Sequence, residues 1–257
     1  MSTDFPAIIF PEAGTLSLAF KRLLHCVSRE ETRHYLRGVN VAHEPGVVRL
    51  EATDSHRACQ IRLSVEGVQP FPSFILSHKS AKALAGLKKG EWRRYAELSP
   101  TEAVLRGSRE SMPLETIPGM GHSGEYVDLG RAIPQDRAQW AIVPTAPFTR
   151  AMGALVGFSN GGKQCTPVVR LVANGDTLEL TARAGDFSTT LAVPLQDCAQ
   201  RLKDGFETGF NGGHLLDWLG DAPGKTVSLG FGDHPGDPVR LDSGCVSESY
   251  AIMPMRV

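Results

Sequence analysis

The sequence lacks the long apolar runs, paired cysteines and net charge that mark several classes of protein. No apolar stretch in its 257 residues approaches the ~20 residues that a membrane-spanning helix needs. The five cysteines are scattered, with no Cys-x-x-Cys pair, which fits a reducing compartment and indicates neither a disulfide framework nor a zinc site. With 27 basic and 28 acidic residues, bulk charge gives no argument for a histone-like or polybasic membrane protein. The first residues show no signal-peptide pattern, so we expect a cytoplasmic protein.

The sequence also lacks the short motifs of common active sites. It contains no Gly-x-Ser-x-Gly elbow, no His-Glu-x-x-His helix and no Gly-x-x-x-x-Gly-Lys-Ser/Thr loop. Asp54 and His56 could share one face of a strand, which would suit a hydrolase, but Ser55 between them would face the other way. We therefore predict no enzyme, no catalytic residue, no metal site and no cofactor.

The composition is that of an ordinary globular protein, and the sequence repeats itself. Hydrophobic residues make up 41% and charged residues 21%, and the length suits two domains or one large one. Residues 37–54 and 167–184 both read as strand, turn and strand, at an offset of 130 residues. Helical spacing appears at 19–28 and 147–156, with second helices at 76–87 and 210–220 and later strands at 102–106 and 226–231.

These patterns predict an α+β protein with two similar halves, each consisting of two helices packed on antiparallel sheets. The halves meet near residue 135, inside a linker at 117–139 that is rich in Gly and Pro. The chance similarity of two α+β stretches is the alternative, which the constant order and near-constant offset disfavour.

Basic residues concentrate on the predicted helices although the whole chain is nearly neutral. Three of the four helices, with the residues that follow them, carry mostly Lys and Arg, and the fourth is acidic. A positive face in a neutral chain suits a phosphate backbone that is bound without reading its sequence. Ordinary solvated helix faces are the alternative.

Three strings carry a resemblance to a known family. The final Tyr-Ala-Ile-Met-Pro-Met-Arg-Val at 250–257 is similar to the terminal Tyr-x-x-Met-Pro-Met-Arg-Leu of bacterial replicative sliding clamps, the DNA polymerase III β subunit. Ala-Thr-Asp-Ser-His-Arg-Ala at 52–58 resembles that family's Ala-Thr-Asp-Gly-His-Arg-Leu, and Arg-His-Tyr-Leu-Arg-Gly at 33–38 resembles its Arg-Tyr-Tyr-Leu-Asn-Gly. The resemblance extends over nearly the whole chain.

The resemblance implies tandem DNA-clamp domains that form a ring. The family has three copies of the domain, and residues 1–135 look like the middle copy and 136–257 like the last, so the first copy is absent. The family's ring has six domains whose helices surround duplex DNA. A two-domain chain would then need three copies, and we expect a homotrimer, because one heterologous contact repeated by rotation closes a ring.

The resemblance also implies two sets of site residues. The first set would attract duplex DNA without sequence specificity: Arg22, Arg29, Arg33, His34, Tyr35, Lys79, Lys82, Arg150 and Lys163. The second would line a groove between the two domain copies that takes short linear peptides of a polymerase and a clamp loader: Leu36, Thr53, His56, Arg57, Val127, Arg131, Ala132, Val239, Met253, Pro254, Met255 and Arg256.

The sequence departs from the family pattern at several of these positions. Ser55 replaces Gly, Val127 stands where Pro is usual, His34 replaces Tyr, and Ala58 and Ala132 replace larger aliphatic residues. The peptide pocket is therefore expected to be roomier or differently shaped. The alternative function is a clamp-derived peptide-binding module that forms no closed ring and regulates the partners of other clamps.

Overall fold

The computed structural model describes residues 8–10, 13–87, 96–99, 104–106, 111–119, 125–159, 167–198, 201–245 and 247–256. The chain divides into two compact units, Met1–Leu129 and Gly130–Val257. Within the described ranges, no helix is long and apolar enough to cross a membrane.

The first unit contains two α-helices, a short 3-10 helix and two antiparallel sheets. The helices are α1 (Ala13–Leu24), the 3-10 helix (His34–Leu36) and α2 (His78–Ala85). The strands are β1 (Ile8–Phe10), β2 (Gly38–Glu44), β3 (Val47–Thr53), β4 (Arg57–Ser64), β5 (Phe74–Ser77), β6 (Ala96–Ser99), β7 (Val104–Arg106), β8 (Ser111–Pro113) and β9 (Thr116–Ile117). Their pairing orders are β1-β6-β7-β8 and β4-β3-β2-β5-β9.

The second unit has the same plan. Its helices are α3 (Thr145–Ser159) and α4 (Gly212–Gly220). Its strands are β10 (Gln139–Pro144), β11 (Val168–Asn174), β12 (Thr177–Ala184), β13 (Phe187–Pro194), β14 (Glu207–Asn211), β15 (Thr226–Phe231), β16 (Val239–Asp242) and β17 (Glu248–Ile252). They pair antiparallel in the orders β10-β15-β16-β17 and β13-β12-β11-β14.

In each unit the two helices pack against each other and against one sheet. Helix α1 contacts α2, β3 and β4, and α3 contacts α4, β11 and β12. Leu16, Phe20 and Leu23 are spaced by three or four residues and lie together on the fully buried side of α1. Helix α2 begins where the Ser77 hydroxyl accepts a hydrogen bond from the Ser80 amide at 3.2 Å. The apolar periodicity therefore determines which side of α1 is buried, and the Ser77 cap determines where α2 begins.

The structure confirms the predicted α+β fold of two similar halves. The β2–β3 and β11–β12 hairpins begin at Gly38 and Val168, the predicted offset of 130 residues. Both turn through a glycine with positive φ, 71° at Gly46 and 53° at Gly175, a conformation that glycine adopts without steric cost. Turn chemistry and strand alternation are local signals, which is why this part of the fold was predictable.

The first predicted helix differs from the observed one. Residues 19–28 were expected to be helical, but α1 ends at Leu24. The chain then makes tighter turns, in which the amides of His25 and Cys26 donate to the carbonyls of Arg22 and Leu23 at 3.3 and 2.9 Å. The apolar side chains of Cys26 and Val27 are buried in this turn, so they mimic a helical pattern without forming one.

Candidate peptide and nucleic-acid interfaces

A tight turn joins β3 to β4 and presents the residues of the Thr-Asp-Ser-His-Arg string. The Asp54 carboxylate accepts hydrogen bonds from the amides of His56 and Arg57, both at 2.9 Å. The Thr53 hydroxyl accepts from the Ser55 amide at 3.1 Å and donates to the Arg57 carbonyl at 2.8 Å. These bonds close the turn on itself and leave the His56 side chain exposed.

The side chains of Tyr126 and Arg57 stabilise this turn. The Thr53 amide donates to the Tyr126 hydroxyl at 3.1 Å, and burial raises the pKa of Tyr126 above its usual range. The Arg57 Nε donates to the second Asp54 oxygen at 3.0 Å, and the Arg57 side chain is only 10% exposed. Sequence reasoning missed Tyr126, because it lies far along the chain from Thr53 and no local pattern marks it.

Arg33 belongs to the same assembly. Its Nη1 donates to the Ser55 hydroxyl at 2.6 Å, and its Nε donates to the Glu30 carboxylate at 2.9 Å. Thr32 donates to the other Glu30 oxygen at 2.5 Å, and these two hydrogen bonds, from Thr32 first and Arg33 second, lower the pKa of Glu30. Arg33, predicted to contact DNA, is therefore held by Glu30 and by the β3–β4 turn.

Ser55 occupies a backbone conformation that favours glycine, with φ at 76°. We expect Ser55→Gly to be more stable than Ser55→Ala by about 1 kcal/mol, because both variants lose the hydroxyl but only alanine keeps the steric cost of its Cβ. Urea unfolding of both variants measures this difference. Equal stabilities would show that the turn does not impose this conformation.

In the first unit, the predicted peptide-binding residues divide into exposed and covered ones. His56 is exposed and Val127 is half-buried, whereas Leu36 and Thr53 are only 2% and 8% exposed. Leu36 packs inside the unit, and the hydroxyl and amide of Thr53 are hydrogen-bonded within the turn and to Tyr126. Both side chains therefore lie below the surface of the predicted site rather than on it.

In the second unit, the predicted residues lie at the end of β17 and in segments around it. Met253 is 42% exposed, one of the few large apolar side chains at the surface of the described residues. Pro254 and Met255 are half-buried, and the Met255 amide donates to the Gly209 carbonyl at 2.8 Å, which fixes this segment to β14. Arg131, Ala132 and Arg256 are exposed, and Val239 is buried.

The predicted DNA-binding residues are mostly at the surface, with one departure. Arg22 is only 5% exposed, because it lies about one helical turn after buried Ala19 on α1 and so faces the interior. Lys163 lies outside the described residues. The remaining members include one half-buried aromatic, Tyr35, and several exposed side chains: Arg29, His34, Lys79, Lys82 and Arg150.

A basic groove of about 490 Å³ in the first unit collects part of this set. His34 and Arg37 contribute from the 3-10 helix and its exit, and His78, Lys79 and Lys82 from α2, with Ser77, Glu115 and Ile117 completing the lining. The β2–β5 pairing and a 3.1 Å hydrogen bond from the His78 amide to the Arg37 carbonyl bring these segments together. Arg37 and His78 were not among the predicted site residues, because only this long-range pairing places them here.

The side chains that line the groove carry more positive than negative charge, with Arg37, Lys79 and Lys82 against Glu115. Partial burial, and then the charges of Arg29, Lys82 and Arg37, lower the pKa of His78. Glu115 is the acid in the lining, with its carboxylate 4.0 Å from the Lys79 ammonium. The groove therefore favours an anion.

The hydrolase alternative finds no support at the β3–β4 turn. Asp54 uses both carboxylate oxygens to hold the turn, and the Ser55 hydroxyl accepts a hydrogen bond from Arg33. A catalytic triad requires a serine bonded to a histidine base. Within the described part of the chain, no group of three or more His, Cys, Asp or Glu side chains could hold a metal ion.

The fold of the chain matches that of solved β sliding clamps. A crystal structure of the Caulobacter crescentus β sliding clamp superposes with a TM-score of 0.84 and 25% identity, covering 100% of this chain and 67% of that one. The β subunit of the Streptococcus pyogenes DNA polymerase has a TM-score of 0.86 at 19% identity, with 100% and 67% covered.

In sequence, the chain is similar to bacterial β sliding clamps. It is 26% identical over 240 residues to the β sliding clamp of Caulobacter vibrioides, covering 90% of this chain and 61% of that protein. It is 24% identical to the β sliding clamp of Chlamydia pneumoniae, over 95% of this chain and 64% of that protein. No family model matches the chain. The chain thus resembles the DNA polymerase III β subunit in sequence and fold, and spans less than two thirds of the length of these relatives.

Proposed function

We propose that the chain is a DNA sliding clamp, a non-enzymatic processivity factor that encircles duplex DNA and tethers polymerase or repair proteins. The observation that carries this proposal is the similarity in both sequence and fold to β sliding clamps, which extends over both units. Such a factor acts where the DNA and the replication proteins are, in the cytoplasm.

The DNA would be held by long-range attraction rather than by base contacts. Lys79 is 88% exposed, and Lys82, Arg29 and Arg150 also reach solvent on or beside helices. Exposed ammonium and guanidinium groups attract phosphates through salt-sensitive forces that carry no sequence information, so a ring can slide. Arg22 is left out of this proposal because it is buried.

The partners would bind through short linear peptides with apolar ends. Met253, Pro254 and Met255 offer an adaptable apolar surface on the second unit. On the first unit, the β3–β4 turn presents the exposed His56 beside Arg57, whose guanidinium is paired with Asp54. Arg131 and Arg256 are exposed cations that suit a glutamine, carbonyl or acidic group of the peptide. We propose that these peptides are segments of a polymerase and of a clamp loader.

The proposed assembly is a homotrimer of chains that each supply a domain at 1–135 and a domain at 136–257, similar to the middle and last copies of the clamps. The support is the near-even division of the chain at Leu129–Gly130 and the six-domain ring that the resemblance implies. Head-to-tail contacts repeated about a threefold axis would close it.

Solution mass and DNA retention test the ring. Light scattering is expected to give a mass of about 83 kDa, three times the 27.7 kDa of the chain. Loaded protein is expected to remain on nicked circular DNA and to run off the same DNA after linearisation, since its hold is topological. A monomer or dimer would contradict the trimer. Equal release from circular and linear DNA, with peptide binding kept, would favour the non-ring module.

A further inference from the structure

The basic groove of the first unit contains two histidines among fixed cations, His34 and His78. Neutral imidazole adds little attraction for phosphate, whereas imidazolium donates two hydrogen bonds and carries a charge. His34 and His78 are exposed and line the groove together with Arg37, Lys79 and Lys82.

We propose that this groove binds backbone phosphate groups of duplex DNA, and that His78 joins the binding only when it is protonated, so that DNA affinity rises as the pH falls. The inference deepens the proposed clamp function and rests on it for the identity of the ligand.

The charged groups around His78 set the direction of the effect. Arg29 comes from the segment after α1, Arg37 from the exit of the 3-10 helix, Lys79 and Lys82 from α2, and Glu115 from the segment before β9. Partial burial, and then the charges of Arg29, Lys82 and Arg37, disfavour a proton on His78 while the groove is empty. A phosphate in the groove reverses this field, so the pKa of His78 rises on binding and a proton is taken up.

The surroundings of His34 differ and leave its ring accessible. The rings of His34 and Tyr35 are nearly perpendicular, with centroids 5.6 Å apart, and His34 lines the groove together with Arg37 and the α2 cations. Arg37 and Lys82 keep their charge at every physiological pH and provide the constant part of the binding. The groove is larger than one phosphate group, so water is expected to share it.

The sign of the pH dependence follows by linkage. The bound state holds the higher His78 pKa, so affinity increases as the pH falls through the interval between the free and bound pKa values of His78 and levels off below it. Each histidine that becomes a phosphate contact steepens the slope of log K against log salt concentration by about 0.9.

The test measures binding of the full chain to a fluorescein-labelled 20-base-pair duplex by anisotropy at pH 8.0 and pH 6.0, over a range of salt. We expect affinity to rise by about tenfold, the size of a charge-assisted hydrogen bond. The variant His78→Gln is expected to lose most of this rise. His234→Gln, which changes an exposed histidine of the second unit, is the matched control and is expected to behave as the wild type.

A proton NMR titration of the histidine Cε1–H signals provides an independent readout. The pKa of His78 is expected to rise when the unlabelled duplex is added, with pyrophosphate as a separate arm. A His78→Gln variant that keeps the full pH dependence, or a His78 pKa that duplex leaves unchanged, overturns the inference. A response to pyrophosphate and none to duplex also overturns it, and marks a site for small phosphates. Protein that shows the pH effect on short duplex but no retention on circular DNA contradicts the ring and leaves the groove assignment standing.

Discussion

Removal of residues 253–257 is expected to abolish binding of a clamp-type peptide while leaving the oligomer intact. Met253 and Met255 would each lose apolar contact with the peptide, worth about 1.5–3 kcal/mol for a fully buried side chain, which together lowers affinity by roughly a hundredfold or more. Strand β17 ends at Ile252, so the deletion spares the β10-β15-β16-β17 sheet and removes only the bond from Met255 to Gly209 at the edge of the other sheet. Fluorescence anisotropy with a labelled peptide that carries a glutamine and two terminal apolar residues measures the affinity.

Two point variants sharpen this deletion experiment. Met253→Ala removes a 42% exposed apolar side chain within the proposed surface, and Leu18→Ala removes a 50% exposed one on α1. We expect about a tenfold loss for Met253→Ala, roughly 1.4 kcal/mol, and no loss for Leu18→Ala. Light scattering of each variant checks that assembly is unchanged. Peptide affinity that survives the deletion refutes the assignment of this surface.

The turn and the groove show which parts of a site a sequence can reveal. The string at 52–58 suggested a strand in which Asp54 and His56 share a face. In the structure, Thr53, Asp54 and Ser55 instead close the β3–β4 turn through bonds to atoms within four residues. Tyr126 completes the same turn from a distant segment, and no spacing rule connects it to Thr53. Strand alternation therefore predicted neither the turn nor the distant side chain that holds it.

Arg22 shows that charge is an incomplete guide to a helix surface. It was grouped with the DNA-binding residues because it is basic and lies on a predicted helix. The helical periodicity that places Ala19 in the core also places Arg22 there, about one turn later on α1. Arg37 and His78 show the opposite case, since they share a groove only because β2 pairs with β5. Register between distant strands was not available from the repeat alone.

Gly38→Ala is expected to destabilise the first unit by about 3 kcal/mol, the upper range for overpacking a core. Gly38 opens β2 and pairs with Ser77 of β5. A Cβ at this position would lie 2.2 Å from the Leu76 carbonyl oxygen and 2.7 Å from Cγ2 of Ile75. The first of these atoms is backbone in the paired strand, so relief requires β2 and β5 to separate.

The same substitution is expected to weaken DNA binding, which links the stability of this pairing to the basic groove. Arg37 and His78 flank the Gly38–Ser77 pair, and the hydrogen bond between their backbones depends on its register. Urea unfolding measures the stability, and duplex anisotropy under folding conditions measures the affinity. Gly157→Ala is the matched control, because its Cβ meets no atom within 4 Å on α3, and it is expected to stabilise by about 0.5–1 kcal/mol. Equal changes in the free energy of unfolding for the two variants would show that the β2–β5 contact tolerates a methyl group. Normal DNA affinity in a destabilised Gly38→Ala protein would show that the groove does not depend on this pairing.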